Sequence, residues 1–233
     1  MLKRKMLRDI FKNKSQFITI FLMITIGVMV YAGIESYMDG MRITATNFYQ
    51  ENNLQDLNVI GKGFTESDLE NIKKIDNVKN AERKLEVNMT DSKDEDKSYL
   101  VSFIESNEIS KFYVESGSKF DKNKSGVWLD YFYAKENKLK VGDEVSFKYD
   151  GYTFKEKIRG IIYVPDHIYA VKDKSQLMPN HQNYGLIYMS VKELEPYINK
   201  IANFKRMNPN FNYLDEVSFN YVMVDVNSKK NNN

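Results

Sequence analysis

Near neutral pH the side chains best suited to bind a metal or move a proton are histidines. This 233-residue chain has two, His167 and His181, fourteen residues apart on a polar stretch. No cysteine is present to complete a ligand set with them, so the pair reads as ordinary surface residues. The same absence removes thiol catalysis and disulfide frameworks. The loop Asp91-Ser92-Lys93-Asp94-Glu95-Asp96-Lys97 gathers four carboxylates and invites a calcium reading. It lacks the Gly and the distal Glu of an EF-hand, and a solvated hairpin tip is expected instead. Gly61-Lys62-Gly63 runs into Phe64, without the spacing of a phosphate-cradling loop, and no GxSxG, SxxK or HExxH occurs. The scattered acid pairs have no context that marks a glycosidase-like couple. The expectation is a chain that is not an enzyme, with no catalytic residue, no cofactor and no metal.

The elements that carry these residues divide by charge and hydropathy. Lys+Arg 34 against Asp+Glu 32 give +2, and a mean hydropathy of −0.54 suggests a soluble chain. Hydrophobics at 42% and aromatics at 13% exclude wholesale disorder. Yet Phe17 to Ile34 reads FITIFLMITIGVMVYAGI, eighteen residues without a charge. At about 1.5 Å per residue this covers roughly 27 Å, close to a hydrocarbon core. Phe17, Ile18, Phe21, Leu22, Ile24, Ile26, Val28, Val30 and Ile34 are its anchoring side chains. Before it, Lys3, Arg4, Lys5, Arg8, Lys12 and Lys14 oppose Asp9 alone, a local charge of +5. The positive-inside rule places that arm in the cytoplasm and everything after Ile34 outside, in a single pass of the cell membrane. Within the arm, Leu2, Met6, Leu7, Ile10 and Phe11 recur at helical spacing, the pattern of a basic amphipathic helix on the inner leaflet. A cleaved signal peptide, with Val30-Tyr31-Ala32 as its cleavage site, is the competing reading; the apolar run exceeds the usual length for one. The part beyond residue 16 carries 28 basic and 31 acidic residues, a charge of −3 that disfavours nucleic acid as a partner.

Past the membrane, Tyr37, Met38, Met41, Ala45, Phe48 and Tyr49 keep three- and four-residue spacing, which extends the helix as a stalk over 35–53. A first α/β half over 54–115 opens with strand Leu57 to Ile60. It continues with a helix capped by Thr65 and Asp68, and with strands Ala81 to Thr90 and Ser98 to Glu105. From 116 to 165 short strands predict an inserted all-β subdomain: Val127 to Leu129, Glu144 to Tyr149, Tyr152 to Ile158 and Gly160 to Val164. Asp150-Gly151 supplies a tight turn. A second half over 166–226 holds strand Gly185 to Met189, a helix Val191 to Phe204 capped by Ser190 with Glu193, and strand Val217 to Val226. Residues 227–233 form a polar tail. The fold class is α+β: a transmembrane helix extended into a stalk, then an α/β sandwich of βαβ-type halves with the β insert.

This order of parts resembles a known family. The basic arm ending Arg8-Asp9-Ile10-Phe11-Lys12-Asn13-Lys14, one membrane helix and an outer domain opening on Asp56-Leu57-Asn58-Val59 resemble the FtsX-like permeases of ABC transporters that carry a MacB-like extracytoplasmic core domain. The stretch Phe64 to Ala81 is similar to that family's helix followed by a V-K-x-A strand. Gly126-Val127-Trp128-Leu129-Asp130, then Ala134, then Leu139-Lys140-Val141-Gly142-Asp143-Glu144-Val145, closing with Gly160-Ile161-Ile162, looks like its β-insert pattern. Physically, Gly142-Asp143 launches a strand, and Trp128 and Leu129 suit core anchors. These matches are structural: Trp128, Leu129, Ala134, Leu139, Gly142, Asp143 and Gly160 carry them, and no substrate-contact residue is implied.

The resemblance implies a permease subunit of an ATP-driven export or mechanotransmission complex. It would work with a cytoplasmic ABC ATPase subunit and a second permease copy as a dimer in the lipid bilayer. Peptide, lipoprotein or drug efflux would be the transport, and nucleotide hydrolysis would lie in the partner. Such permeases continue into three further membrane helices, whereas this sequence reaches Asn233 without a second apolar run. The chain therefore reads as the N-terminal portion of a permease or as a stand-alone relative. A single-pass, membrane-anchored extracytoplasmic binding or sensor protein is the alternative.

Overall fold

The structure, a computed structural model, describes residues 2–167, 169–173, 175–201 and 217–227. The chain divides into two compact units, residues 1–48 and residues 49–233.

In the first unit, helix α1 (Leu2–Lys12) is parted from α2 at Asn13, whose carbonyl accepts from the amides of Gln16 and Phe17 at 3.0 and 3.3 Å. Helix α2 (Lys14–Glu51) runs for 38 residues without a break, as the continuing apolar spacing predicts. Its most apolar window has a mean hydropathy of 2.4 and no buried residue. It is the one helix among the described residues long and apolar enough to cross a membrane. The hydroxyls of Thr19, Thr25 and Thr44 donate to the carbonyls of Ser15, Phe21 and Gly40 at 2.8–2.9 Å. These polar groups are therefore satisfied inside the helix, which for Thr19 and Thr25, within the apolar run, suits an apolar solvent.

In the second unit the elements follow as β1 (Leu57–Ile60), α3 (Glu66–Lys73), β2 (Val78–Asp91), β3 (Ser98–Ile104), β4 (Tyr113–Gly117), β5 (Val127–Asp130) and α4 (Tyr131–Glu136). Then come β6 (Glu144–Tyr149), β7 (Tyr152–Tyr163), β8 (Tyr184–Ser190), α5 (Glu195–Ile201) and β9 (Tyr221–Val226). One nine-stranded sheet contains every strand among the described residues, in the order β1-β9-β2-β3-β8-β5-β7-β4, with β6 paired to both β2 and β7. β3 with β8 and β5 with β7 are parallel; the other pairs are antiparallel. Because β6 bonds β7 along its length and β2 at Thr90 and Asp91, the strands β2-β3-β8-β5-β7-β6 close a circuit. The main core fills it with Val101, Phe103, Leu129, Phe147, Phe154, Ile158 and Ile187. A second core on the other face packs Ile104, Phe112, Trp128, Ile162, Leu186 and Tyr188. Strands β5 and β8 are covered on both faces and are buried throughout, which explains their unbroken apolar runs.

The local chemistry explains most boundaries. Thr65 Oγ1 accepts from the Asp68 amide and Asp68 returns a bond to the Thr65 amide, the expected capping box of α3. Asp150 and Gly151 both take positive φ, 46° and 74°, as a tight hairpin between β6 and β7 requires. The acidic loop after β2 is a hairpin tip in which Asp91 Oδ1 accepts from the amides of Lys93 and Asp94 at 2.8 and 3.1 Å.

Several elements differ from expectation. Tyr152 to Ile158 and Gly160 to Tyr163 belong to a single strand, β7, in which Gly160 serves a close approach to Trp128, and Val164 lies just beyond its end. The 116–165 stretch contains helix α4, and β4 precedes it at Tyr113. The Ser190 hydroxyl accepts from the Lys192 amide, so a 3-10 turn over Val191–Leu194 comes before α5. The predicted end of that helix at 202–204 and most of the 227–233 tail lie outside the described residues. The last strand begins at Tyr221 rather than Val217.

Candidate functional site

Strand alternation puts Lys84, Glu86 and Asn88 of β2 on one face, where register brings Lys84 opposite Ile104 and Tyr221, and Glu86 opposite Ser102. Parallel pairing then sets Tyr188 of β8 beside Ser102. Onto this patch the segment after β7 lowers Asp166 and His167. Lys84, fully buried, places its Nζ 2.7 Å from Glu86 Oε1 and 2.8 Å from Asp166 Oδ2, with the Tyr221 ring 4.4 Å away. Tyr188 donates to Asp166 Oδ1 at 3.1 Å, and Ser102 donates to Glu86 Oε1 at 3.4 Å. His167 Nδ1 lies 3.1 Å from Asp166 Oδ1 but is not aligned for a hydrogen bond, and its Nε2 is 3.7 Å from Glu86.

The electrostatics follow from this geometry. Burial alone would raise the Asp166 carboxyl, but the Lys84 ammonium and His167 hold it well below the usual carboxylate range. Burial alone would lower Lys84, and the charges of Asp166 and Glu86 carry it above its ordinary value instead. Burial, with the same two carboxylates, pushes the Tyr188 phenol well above 10. Ligand atoms of Glu86, Asp166 and His167 lie within 4.8 Å of one another, a spacing a metal could use. The Lys84 ammonium already sits between the two carboxylates, so the position is filled by the protein's own cation. A buried, fully paired Lys is no nucleophile. What the cluster does is fasten the segment after β7 to the middle of the sheet. Sequence reading treats His167 as a surface residue and gives no weight to Lys84 or Asp166.

The motif residues fall into two groups. Trp128 is fully buried, donates from Nε1 to the Ser118 carbonyl at 2.8 Å and packs against Phe112 and Phe120. Gly160 lies against it: a Cβ there would stand 2.7 Å from Trp128 Cδ1. Leu129 points to the opposite core. Ala134, Leu139, Gly142 and Asp143 build the connection from α4 to β6. The Leu139 amide donates to the Ala134 carbonyl at 2.8 Å, Asp143 Oδ2 accepts from the Lys140 amide at 2.8 Å, and Gly142 takes φ 97°. Elsewhere in the main core the Tyr99 hydroxyl donates to Asp91 Oδ2 at 2.6 Å and meets the Tyr133 hydroxyl at 2.9 Å. His181 stacks on Phe132 with ring centroids 5.0 Å apart.

The anchoring residues Phe17, Ile18, Phe21, Leu22, Ile24, Ile26, Val28, Val30 and Ile34 all lie on α2. Lys3, Arg4, Lys5, Arg8 and Lys12 lie on α1, and Lys14 opens α2. The described residues thus define a mixed α/β domain on a nine-stranded sheet, preceded by one helix long and apolar enough to span a membrane. No protein-family model matches the chain, and no curated protein matches it. Among solved structures it is similar to the extracellular domain of the noncanonic ABC-type transporter YknZ from Gram-positive bacteria. The two share 18% identity over 71% of this chain and 74% of that one, with a TM-score of 0.43. It is also similar to the periplasmic region of MacB from Actinobacillus actinomycetemcomitans, at 12% identity over 74% of this chain and 69% of that one, with a TM-score of 0.42.

Proposed function

We propose that this chain is the N-terminal portion of a permease subunit in an ATP-driven export or mechanotransmission complex, anchored by α2 with its N-terminus inside and its sheet domain outside. The observation that carries the reading is the unbroken helix Lys14–Glu51, which exceeds a membrane span by about half its length and leads directly into a mixed-sheet domain. A helix without a break transmits displacement better than a jointed linker does. The ordered motifs from Gly126 to Ile162 supply the family part of the reading. Nucleotide hydrolysis would belong to a separate cytoplasmic subunit, and a second permease copy would complete the complex.

The test is purification of the tagged chain from its native membrane in mild detergent. Stoichiometric recovery of a P-loop ATPase identified by mass spectrometry is the expected result. Recovery of the chain alone, with or without a nucleotide analogue, overturns the reading in favour of a single-pass binding or sensor protein.

A further inference from the structure

A groove of about 520 Å³ runs between α4, the connection that follows it and the edge strand β4. Ligand sites commonly fall between about 300 and 1,000 Å³. Ile161, Ala134 and Leu139 line it with apolar atoms, and the exposed Val141 extends that surface. Charge enters through three exposed side chains, Lys135 and Lys140 from the helix side and Glu115 from β4. Among the described residues neither lysine is ion-paired; Lys135 Nζ only faces the Tyr131 ring at 5.8 Å. The connection is held open by backbone chemistry: Lys138 and Gly142 take positive φ, and the Gly142 amide donates to the Ile158 carbonyl at 2.8 Å.

We propose that this groove binds a single-chain anionic amphiphile, a fatty carboxylate, with the acyl chain along Ile161, Ala134, Leu139 and Val141 and the carboxylate between Lys135 and Lys140. An apolar floor beside two ammonium groups that are not ion-paired among the described residues, against one carboxylate, fits that chemistry. A peptide adding as a strand to β4 fits worse. β4 carries a register shift between Val114 and Ser116, and it ends at Gly117, whose backbone lies so close to the Arg159 carbonyl that a Cβ would stand 2.3 Å from that oxygen. Bulges and such irregular ends blunt a sheet edge.

The experiment uses the full chain in phosphatidylcholine nanodiscs, photolysed with a mid-chain diazirine palmitic acid and mapped by peptide mass spectrometry. Adducts on segments 131–141 and 158–163, competed by palmitate, are expected. With Lys135→Glu/Lys140→Glu the yield there falls at least about fivefold, while Glu115→Gln raises it. The matching fatty-alcohol probe labels the groove at the lower level. Far-UV circular dichroism and Trp128 emission identify any variant that fails to fold, and Glu115→Gln then decides the matter. Adducts confined to 14–51, equal labelling by acid and alcohol, or displacement by an acidic peptide but not by palmitate would each overturn the proposal.

Discussion

At the scale of single residues the controlling feature is a fully buried ammonium. Taking Lys84 out of water is costly, and two carboxylates at 2.7 and 2.8 Å offset that cost. Its neighbour Arg83 is paired on the opposite face, with Glu66 at 2.7 Å and Glu105 at 2.8 Å. A one-residue slip of β2 would exchange these faces and part both cations from their partners, so the pairs help fix register. Asp166→Asn leaves Lys84 buried beside a single carboxylate. A loss of about 3–5 kcal/mol is expected, read as the urea midpoint of Trp128 emission from the full chain in nanodiscs. Replacing the three charges together, Lys84→Met with Asp166→Leu and Glu86→Gln, should cost less than the single change, because no buried charge is then left without its partner. The pH dependence follows from the directions of the shifts. Asp166 is depressed in the folded state, so its contribution is present above the unfolded carboxyl value of about 3.9 and is lost as pH falls below that. Lys84 is raised, so its contribution holds up to about pH 10 and is lost above. Burial raises the carboxyls of Glu82 and Asp130, which act in the opposite direction on acidification. The difference between wild type and Asp166→Asn therefore isolates the cluster: the stability gap should narrow from pH 4 to pH 2. A gap constant over that range would show that the carboxylate charge is not what holds the segment.

Elements were legible in the sequence where one local rule decided them, and obscure where contacts across the sheet did. The Thr65–Asp68 capping box and the Asp150-Gly151 hairpin each act within a few residues, and both stand where the sequence places them. Helix α4 was hidden because Tyr131-Phe132-Tyr133 are aromatic residues that carry no helix signal of their own. It forms because Asp130 Oδ2 accepts from the Tyr133 amide at 3.0 Å and because Gly185 of β8 leaves room for the Tyr133 ring. The charged cluster was hidden for a related reason: Lys84 and Asp166 stand 82 positions apart and meet only through sheet register. Gly160 shows the same limit. In sequence it reads as the start of a separate strand, whereas within β7 it is the gap that admits Trp128. Gly160→Ala should therefore overpack the second core, cost about 1–3 kcal/mol and shift the emission of the sole tryptophan. Gly142→Ala should cost roughly 1 kcal/mol through its positive φ alone and leave that emission unchanged. Equal effects on the fluorescence would mean that Gly160 acts through backbone freedom rather than space.

Over the whole molecule, two units of opposite character share one chain. Residues 1–48 combine a cationic arm with an unburied apolar helix, and the sheet domain follows with an excess of acid. Positive charge resists transfer across a membrane, and the proposed orientation, with α1 inside and the sheet domain outside, rests on that distribution. The absence of cysteine makes this directly measurable, because any introduced thiol is unique. Lys93 lies exposed at the hairpin tip between β2 and β3, and Asn13 lies at the joint between α1 and α2. On intact cells a membrane-impermeant maleimide should label Lys93→Cys and spare Asn13→Cys until the membrane is permeabilised. Intact mass of the labelled species should begin at Met1, which separates a retained anchor from a cleaved signal peptide. Changing Lys3, Arg4, Lys5, Arg8, Lys12 and Lys14 to Gln removes the asymmetry without touching the apolar run. A measurable fraction of Asn13→Cys should then become accessible from outside. Labelling of Asn13→Cys in the unaltered background would reverse the orientation. The stalk would then lie in the cytoplasm, and the extracytoplasmic reading of the sheet domain would fall with it.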